Sequence, residues 1–306
     1  MTTNRLDRRA LGQTLTRLAN ATVSEALAVD SQTHTHSVAR RIGMTGPPGA
    51  GKSSLVGRLA QIRSKGIRLG ILAIDPTSPK SGGAILGDRI RMDELANIND
   101  LYIRSFGSRS ATDGLTDNLP ELIAAMDAYG FDELLIETVG VGQAEYAIRR
   151  QVDTLVLVLL PDSGDAIQAM KAGIMEMADI FVVNKSDLPG APKMASDVKR
   201  TVLMSQPTSN GWTPPVLLTA SDDPASIERL SLEIDRHRQH LEQSGTHETL
   251  HRERIKYRIR RLIERETARV VNQLDSSVLD ATLLEQYQAV LDELQQTLKE
   301  GTPVQG

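Results

Sequence analysis

The chain has 306 residues, 40% of them hydrophobic, with 39 acidic against 35 basic side chains and a formal net charge of −4. That length suits one large domain with extensions, or two domains, and buries an adequate core without disulfides or a structural metal. Cysteine is absent, which excludes disulfides, thiolate zinc sites, iron–sulfur clusters and a cysteine nucleophile; three Phe, five Tyr and one Trp with a slightly acidic balance speak against nucleic acid as a partner.

The first residues, MTTNRLDRRALGQTLTRLAN, lack the apolar centre of a secretory signal. Leu11, Leu15 and Leu18 instead fall at helical spacing and predict an amphipathic helix. Residues 1–37 are expected to form an N-terminal helical arm that ends in the polar stretch SQTHTHS. Residues 38–235 alternate short β-rich runs with helical stretches, which predicts an α/β fold with a mostly parallel sheet between helices. The expected strands are Arg41–Thr45, Arg68–Asp75, Leu101–Ser105, Glu133–Glu137, Thr154–Leu160, Ile180–Asn184 and Val216–Thr219. Several are apolar throughout, as strands covered on both faces should be. Residues 236–306 lose the strand signal and predict a C-terminal helical extension. There Leu284, Tyr287, Leu291, Leu294 and Leu298 make a heptad-type seam, which must bury itself against its own domain or against a second copy. The longest strongly apolar run, Thr154–Leu160, is far short of the ~20 residues a membrane span needs. A soluble cytoplasmic protein without a membrane partner is expected.

Gly46-Pro47-Pro48-Gly49-Ala50-Gly51-Lys52-Ser53 is a complete G-x-x-x-x-G-K-S between an apolar strand and a helix that opens KSSLVGRLAQI. Its glycines let successive backbone N–H groups turn toward phosphate oxygens, and the helix N-terminus adds partial positive charge. Lys52 is expected on the β- and γ-phosphates, Ser53 on Mg²⁺, and Ser54 on the bound nucleotide. Asn184-Lys185-Ser186-Asp187 closes the strand DIFVV as an N-K-x-D string. A carboxylate at Asp187 accepts from guanine N1–H and N2, positions where adenine offers no donor. Asn184 is expected to tie this loop to the phosphate loop, and Lys185 to cover the base. Thr219-Ala220-Ser221 lies where a backbone N–H meets guanine O6, with Thr-Ala in place of the usual Ser-Ala. GTP and GDP are therefore the expected ligands.

Glu137-Thr138-Val139-Gly140 ends a strand and resembles the D-x-x-G element of GTPases, with Glu for Asp. The acid is expected near Mg²⁺, and Gly140 as the γ-phosphate sensor. Val141 stands where Ras-like proteins carry a water-orienting Gln, so slow intrinsic hydrolysis improved by a partner is expected. Asp75 and Asp88 bound a long polar loop after a strand and are candidate Mg²⁺ or water-positioning carboxylates, with a helix cap as the alternative. The loop 161–171 offers Asp165 and Lys171 as groups that exchange partners between nucleotide states.

Together TGPPGAGKSS, IDPTSPKSGGAILGDRIRM, IETVGVGQAE, GDAIQAMKAGIMEMADIFVVNKSD and, more weakly, DRRAL resemble the MeaB/ArgK subfamily of SIMIBI-class P-loop GTPases. The resemblance implies a P-loop NTPase core between helical extensions, with residues 38–235 as the GTPase domain and 236–306 as a dimerisation region. It implies a homodimeric GTP-hydrolysing chaperone that gates adenosylcobalamin loading of an acyl-CoA mutase and its protection or reactivation. Methylmalonyl-CoA mutase or an isobutyryl- or 2-hydroxyisobutyryl-CoA relative is the implied client. A cobalamin adenosyltransferase is a further candidate partner, and direct binding of cobalamin by this chain is not expected. By position, Lys52, Asp75, Asp88, Glu137 and Gly140 fall in the hydrolysis site, and Asp165, Gln168 and Lys171 in a third switch. A GTP-dependent kinase and a metal-inserting GTPase are the competing readings. The first needs an acceptor pocket with a base, and the second the cysteines this chain lacks.

Two further strings carry weaker signals. His247-Glu248-Thr249-Leu250-His251 spells H-E-x-x-H but has no third ligand at a workable spacing, and it reads as a polar helix by chance. His34, His36, His237 and His240 are expected in solvent. RERIKYRIRRLIERE holds seven basic and three acidic side chains, and reads as a helix with Ile255, Ile259 and Leu262 turned inward beneath cationic stems.

Overall fold

The computed structural model describes residues 6–31, 38–76, 98, 100–108, 118–138, 143–161, 174–204 and 211–300. Helices α1 (Arg8–Ala19) and α2 (Val23–Ser31) precede strand β1 (Arg40–Thr45), α3 (Lys52–Arg63), β2 (Leu69–Pro76) and β3 (Leu101–Ser108). Then follow α4 (Leu119–Ala128), β4 (Glu133–Thr138), α5 (Gln143–Arg149), β5 (Thr154–Leu159), β6 (Ile180–Asn184), α6 (Ala191–Met204), β7 (Val216–Thr219) and α7 (Pro224–Gln243). Three more helices close the described chain: α8 (Thr246–Asn272), α9 (Ser276–Leu279) and α10 (Leu283–Glu300).

The strands form one seven-stranded sheet in the order β3-β2-β4-β1-β5-β6-β7, and every pairing is parallel. Each expected strand is present, with ends displaced by up to three residues at Ser108. β4, β5 and β6 are buried at every position, because helices cover both faces. Alternation then assigns the layers. Leu134 and Ile136 join Leu11, Leu15 and Leu18 of α1 and Leu122, Ile123 and Met126 of α4 in one core. Leu135, with Met44, Val156 and Val182, packs on the opposite face against Leu55 and Leu59 of α3 and Leu230 and Ile234 of α7. β1 is central, flanked by β4 and β5, so its carboxyl end opens at the switch point where open α/β sheets bind ligands.

The amino ends of the strands are closed by ion pairs. Arg63, in the last turn of α3, grips the fully buried Glu133 with two nitrogens at 2.5 and 2.6 Å, and reaches Asp235 of α7 at 2.9 Å. Partial burial works to raise the Asp235 pKa, but the bonds from Arg63 and Arg40 outweigh it and hold that carboxyl below its ordinary value. Beside them Arg41 pairs with Asp127 at 2.8 Å. Burial lowers the Arg41 pKa and raises that of Asp127, so the desolvation of this pair is not fully offset by its attraction.

Two expectations fail here. His237 is fully buried rather than solvated: its Nδ1 lies 2.9 Å from the Thr154 hydroxyl, its ring packs on Trp212, and Asp179 stands 3.5 Å from its Nε2. His240, expected in solvent, is half-buried against the same indole. His34 and His36 lie outside the described residues. The second failure concerns α8. Ile255 and Ile259 point outward at 47% and 52% exposure, with Ile263 beside them at 59%, while Leu262 is half-buried. The inward face mixes buried Tyr257 and Val270 with charged contacts: Arg254 meets Asp153 at 2.7 Å, Arg258 meets Glu121 at 3.2 Å, and Arg265 donates to the Ala21 carbonyl. The facing surface offers carboxylates and a carbonyl, and the 3.6-residue period then turns the isoleucines away. On α10, Leu284, Tyr287 and Leu291 are likewise exposed, Leu294 is half-buried, and the Leu298 side chain lies outside the described residues. Among the described residues no helix is long and apolar enough to cross a membrane, and no group of three or more acidic or histidine side chains is placed to hold a metal ion.

Candidate nucleotide site

The glycine-rich loop leaves β1 directly. Gly46 has φ +144°, and a Cβ there would sit 2.0 Å from the Val158 carbonyl oxygen of β5, so only glycine passes between the two strands. Gly51 caps α3 in the left-handed region at φ +82°, and a Cβ there would lie 2.5 Å from Asn184 Nδ2. Gly51 offers no side-chain cap to α3, and the backbone N–H groups of a helix start are the kind that bind an anion. Lys52 is almost completely buried and curls back to donate to the Gly46 and Pro47 carbonyls at 2.8 and 2.9 Å. Its ammonium is thereby held over the loop. Pro48 and Gly49 are exposed at the loop tip, whereas Pro47 and Ala50 are buried.

Ser53 and Glu137 come together from different elements. The Ser53 hydroxyl donates to Glu137 Oε1 at 2.7 Å, and Glu137, at the end of β4, is 5% exposed. The two oxygens are hard ligands side by side, the donor chemistry a magnesium ion takes. Ser54 follows in the first turn of α3, half-buried. Asp75 lies one residue before the end of β2, at the same carboxyl edge of the sheet, and its side chain is outside the described residues. Asp88, Gly140, Asp165, Gln168 and Lys171 are outside them as well.

A second cluster ends β6 and β7. Asn184, 1% exposed, donates from Nδ2 to the Ala50 carbonyl at 2.8 Å and accepts at Oδ1 from the Thr219 hydroxyl at 2.9 Å. One amide thus ties the phosphate loop to both strand ends. The Ser186 N–H donates to the Thr219 carbonyl, fixing the loop that carries Lys185 and Asp187. Lys185 has φ +56°, an uncommon conformation for a residue with a side chain. Asp187 is exposed, beyond that turn.

Sequence reasoning missed Ser226. Its hydroxyl accepts from the Ala220 N–H at 3.2 Å and donates to the Asp223 carbonyl at 2.6 Å, clamping the loop after β7. The Ala220 N–H is therefore engaged within the protein, and the next residue, Ser221, is exposed. The signal was present in Asp223-Pro224-Ala225-Ser226, a helix-start string, but it says nothing about what a third-position serine clamps.

A phosphate loop, a serine–glutamate pair and an asparagine-braced base loop line the carboxyl edge of one parallel sheet. Residues 11–276 match the family described as methylmalonyl-CoA mutase-associated GTPase MeaB. The chain belongs to the MeaB family. It is 41% identical over 245 residues to a putative GTPase of Pyrococcus abyssi, covering 79% of this chain and 73% of that protein. It is 40% identical over 181 residues to the mouse protein named methylmalonic aciduria type A homolog, mitochondrial, covering 58% of this chain and 44% of the mouse protein. Among solved structures, a LAO/AO transport system kinase superposes with a TM-score of 0.69 over 96% of this chain and 94% of that one. At 23% identity this likeness establishes the P-loop NTPase fold. The chain is a GTPase, and its ligand is a guanine nucleotide.

Proposed function

We propose that this GTPase is a chaperone of an adenosylcobalamin-dependent acyl-CoA mutase, gating entry of intact cofactor and helping to protect or reactivate the enzyme. Membership of the MeaB family across residues 11–276 carries the reading, and the 40% identity to the mouse methylmalonic aciduria type A homolog supports it. Methylmalonyl-CoA mutase is the first client to test, followed by its isobutyryl- and 2-hydroxyisobutyryl-CoA relatives.

In this mechanism Lys52 swings from the Gly46 and Pro47 carbonyls onto the β- and γ-phosphates, exchanging neutral acceptors for anionic ones. Backbone N–H groups at the start of α3 receive the remaining phosphate oxygens. Ser53 and Glu137, whose oxygens lie side by side, would hold Mg²⁺, with Asp75 and Asp88 as further candidate carboxylates. The ion, when bound, neutralises charge on the phosphates. Asp187 accepts from guanine, Lys185 covers the base, and the Ser221 N–H meets O6, because the Ala220 N–H already donates to Ser226. Gly140 senses the γ-phosphate. Asp165, Gln168 and Lys171 form a third switch that couples nucleotide state to the mutase. Val141 in place of a water-orienting Gln supports slow intrinsic turnover stimulated by that partner.

The chain functions as a homodimer in this reading. Ile255, Ile259 and Ile263 of α8 and Leu284, Tyr287 and Leu291 of α10 present apolar side chains to solvent, and a second copy would bury them. The test is a pull-down from the native host followed by GTP hydrolysis with the captured mutase. Stimulated phosphate release is expected. Transfer of the γ-phosphate to an acceptor, without inorganic phosphate, would replace the chaperone with a kinase. Light scattering on Leu284→Glu should show a shift from dimer to monomer, and a dimer that persists would move the interface elsewhere.

A further inference from the structure

The last backbone rung between β1 and β4 joins Met44 to Glu137. One residue further along each strand stands a threonine, and the Thr138 hydroxyl donates to the Thr45 hydroxyl at 3.1 Å. Both residues are closed to solvent, at 0% exposure for Thr45 and 1% for Thr138. Glu137 and Thr138 point to opposite faces of the sheet, because side chains alternate along a strand. Glu137 therefore reaches Ser53 at the head of α3, while Thr138 shares the face of Leu134 and Ile136. The side-chain bond adds a rung where the ladder stops, at the fork from which the phosphate loop leaves through Gly46 and the chain leaves β4 after Thr138.

We propose that Thr138 and Thr45 are a positioning pair for GTP hydrolysis. Their bond fixes the end of β4 against the root of the phosphate loop, so that Glu137 and the phosphate-binding backbone keep one relative placement. Neither side chain touches the nucleotide in this role. Packing alone does not account for the hydroxyls, since two valines fill the same space with no polar group to satisfy. A neutral bond out of reach of water holds direction without placing charge beside the phosphates. The pair rests on the assignment of Lys52 and Glu137 to the nucleotide site, and Lys52→Ala separates the two claims. If Lys52→Ala retains GTP binding, the site itself is misplaced.

The test compares wild type, Thr138→Val, Thr138→Ser and the double variant Thr45→Val/Thr138→Val by single-turnover hydrolysis, GDP affinity and thermal unfolding. A lone valine strands one buried hydroxyl and lowers Tm, and the double variant removes both and recovers it. A positioning role predicts a different pattern for the rate. Hydrolysis slows about tenfold in Thr138→Val, with GDP affinity within about twofold of wild type, and Thr138→Ser restores it. The double variant stays slow although its Tm has recovered. A wild-type rate in Thr138→Val, a rate that recovers with Tm in the double variant, or a serine variant as slow as the valine would each overturn the proposal. Should Thr138→Val not fold, the serine and double variants carry the same decision.

Discussion

The two ends of this sheet are built from different chemistry. At the carboxyl end the contacts are neutral or singly charged bonds between loops: Lys52 to two carbonyls, Asn184 to Ala50, Thr219 to Asn184, and Ser226 to its own loop. At the amino end guanidinium groups meet carboxylates, Arg63 on Glu133 and Asp235, Arg41 on Asp127, Arg149 on Asp179 and Arg254 on Asp153. Breaking a buried pair strands a charge, whereas an ordinary loop bond nets only about 1 kcal/mol and exchanges readily for a ligand bond. One end holds the strands in register. The other keeps its donors free to change partner.

The largest test of that division is Arg63→Met, which leaves the buried Glu133 with Arg40, at 3.4 Å, as its remaining ion-pair partner among the described residues. A loss of about 3–5 kcal/mol is expected in urea unfolding, with GDP affinity of the folded protein unchanged. An affinity that falls with stability would show that the ends are not independent. Lys52→Ala should do the reverse, cutting GTP affinity by roughly 100-fold while the urea midpoint moves little, as calorimetry and denaturation would record. Asp187→Asn lies further out on the same end and should lower the preference for GTP over XTP by about tenfold or more. Competition binding measures this, and an unaltered ratio would remove Asp187 from base recognition.

The smallest effect tests the charged end through pH. Burial holds the His237 pKa below its ordinary value, Asp179 pulling the other way and Arg149 and His240 adding to the depression. Between that lowered value and the unfolded value of about 6.5, the unfolded chain binds more protons than the native one. Stability from this group is therefore complete above about pH 6.5 and declines as pH falls below it. His237→Gln does not titrate and retains a group able to bond Thr154, so its Tm should drop less than that of wild type between about pH 7.5 and 5.5. An equal drop in both would assign the acid sensitivity to the carboxylates.

Much of the fold was legible because its strands are short apolar runs punctuated by turns, a local signal. The phosphate and base loops were legible as strings because their chemistry demands glycine, lysine, asparagine and aspartate at fixed spacing. The sequence did not show that Asn184 bonds Ala50 and Thr219 together, since that requires β6 and β7 to lie beside the phosphate loop. His237 and α8 were misread for a related reason. A histidine between Arg236 and Arg238 looks solvated in sequence, and only the Trp212 indole and the Thr154 hydroxyl make its site a buried one. Arg254 and Arg258 look like a solvated face until Asp153 and Glu121 are found opposite them.

By itself, then, the sequence determined the element types, the parallel sheet and the nucleotide class, because each follows from periodicity or from a contiguous string. Tertiary structure alone decided which helix face turns inward, which histidine is buried and which hydroxyls meet at the strand ends. Those outcomes depend on partners brought from distant parts of the chain, whose desolvation and hydrogen bonding outweigh local preference.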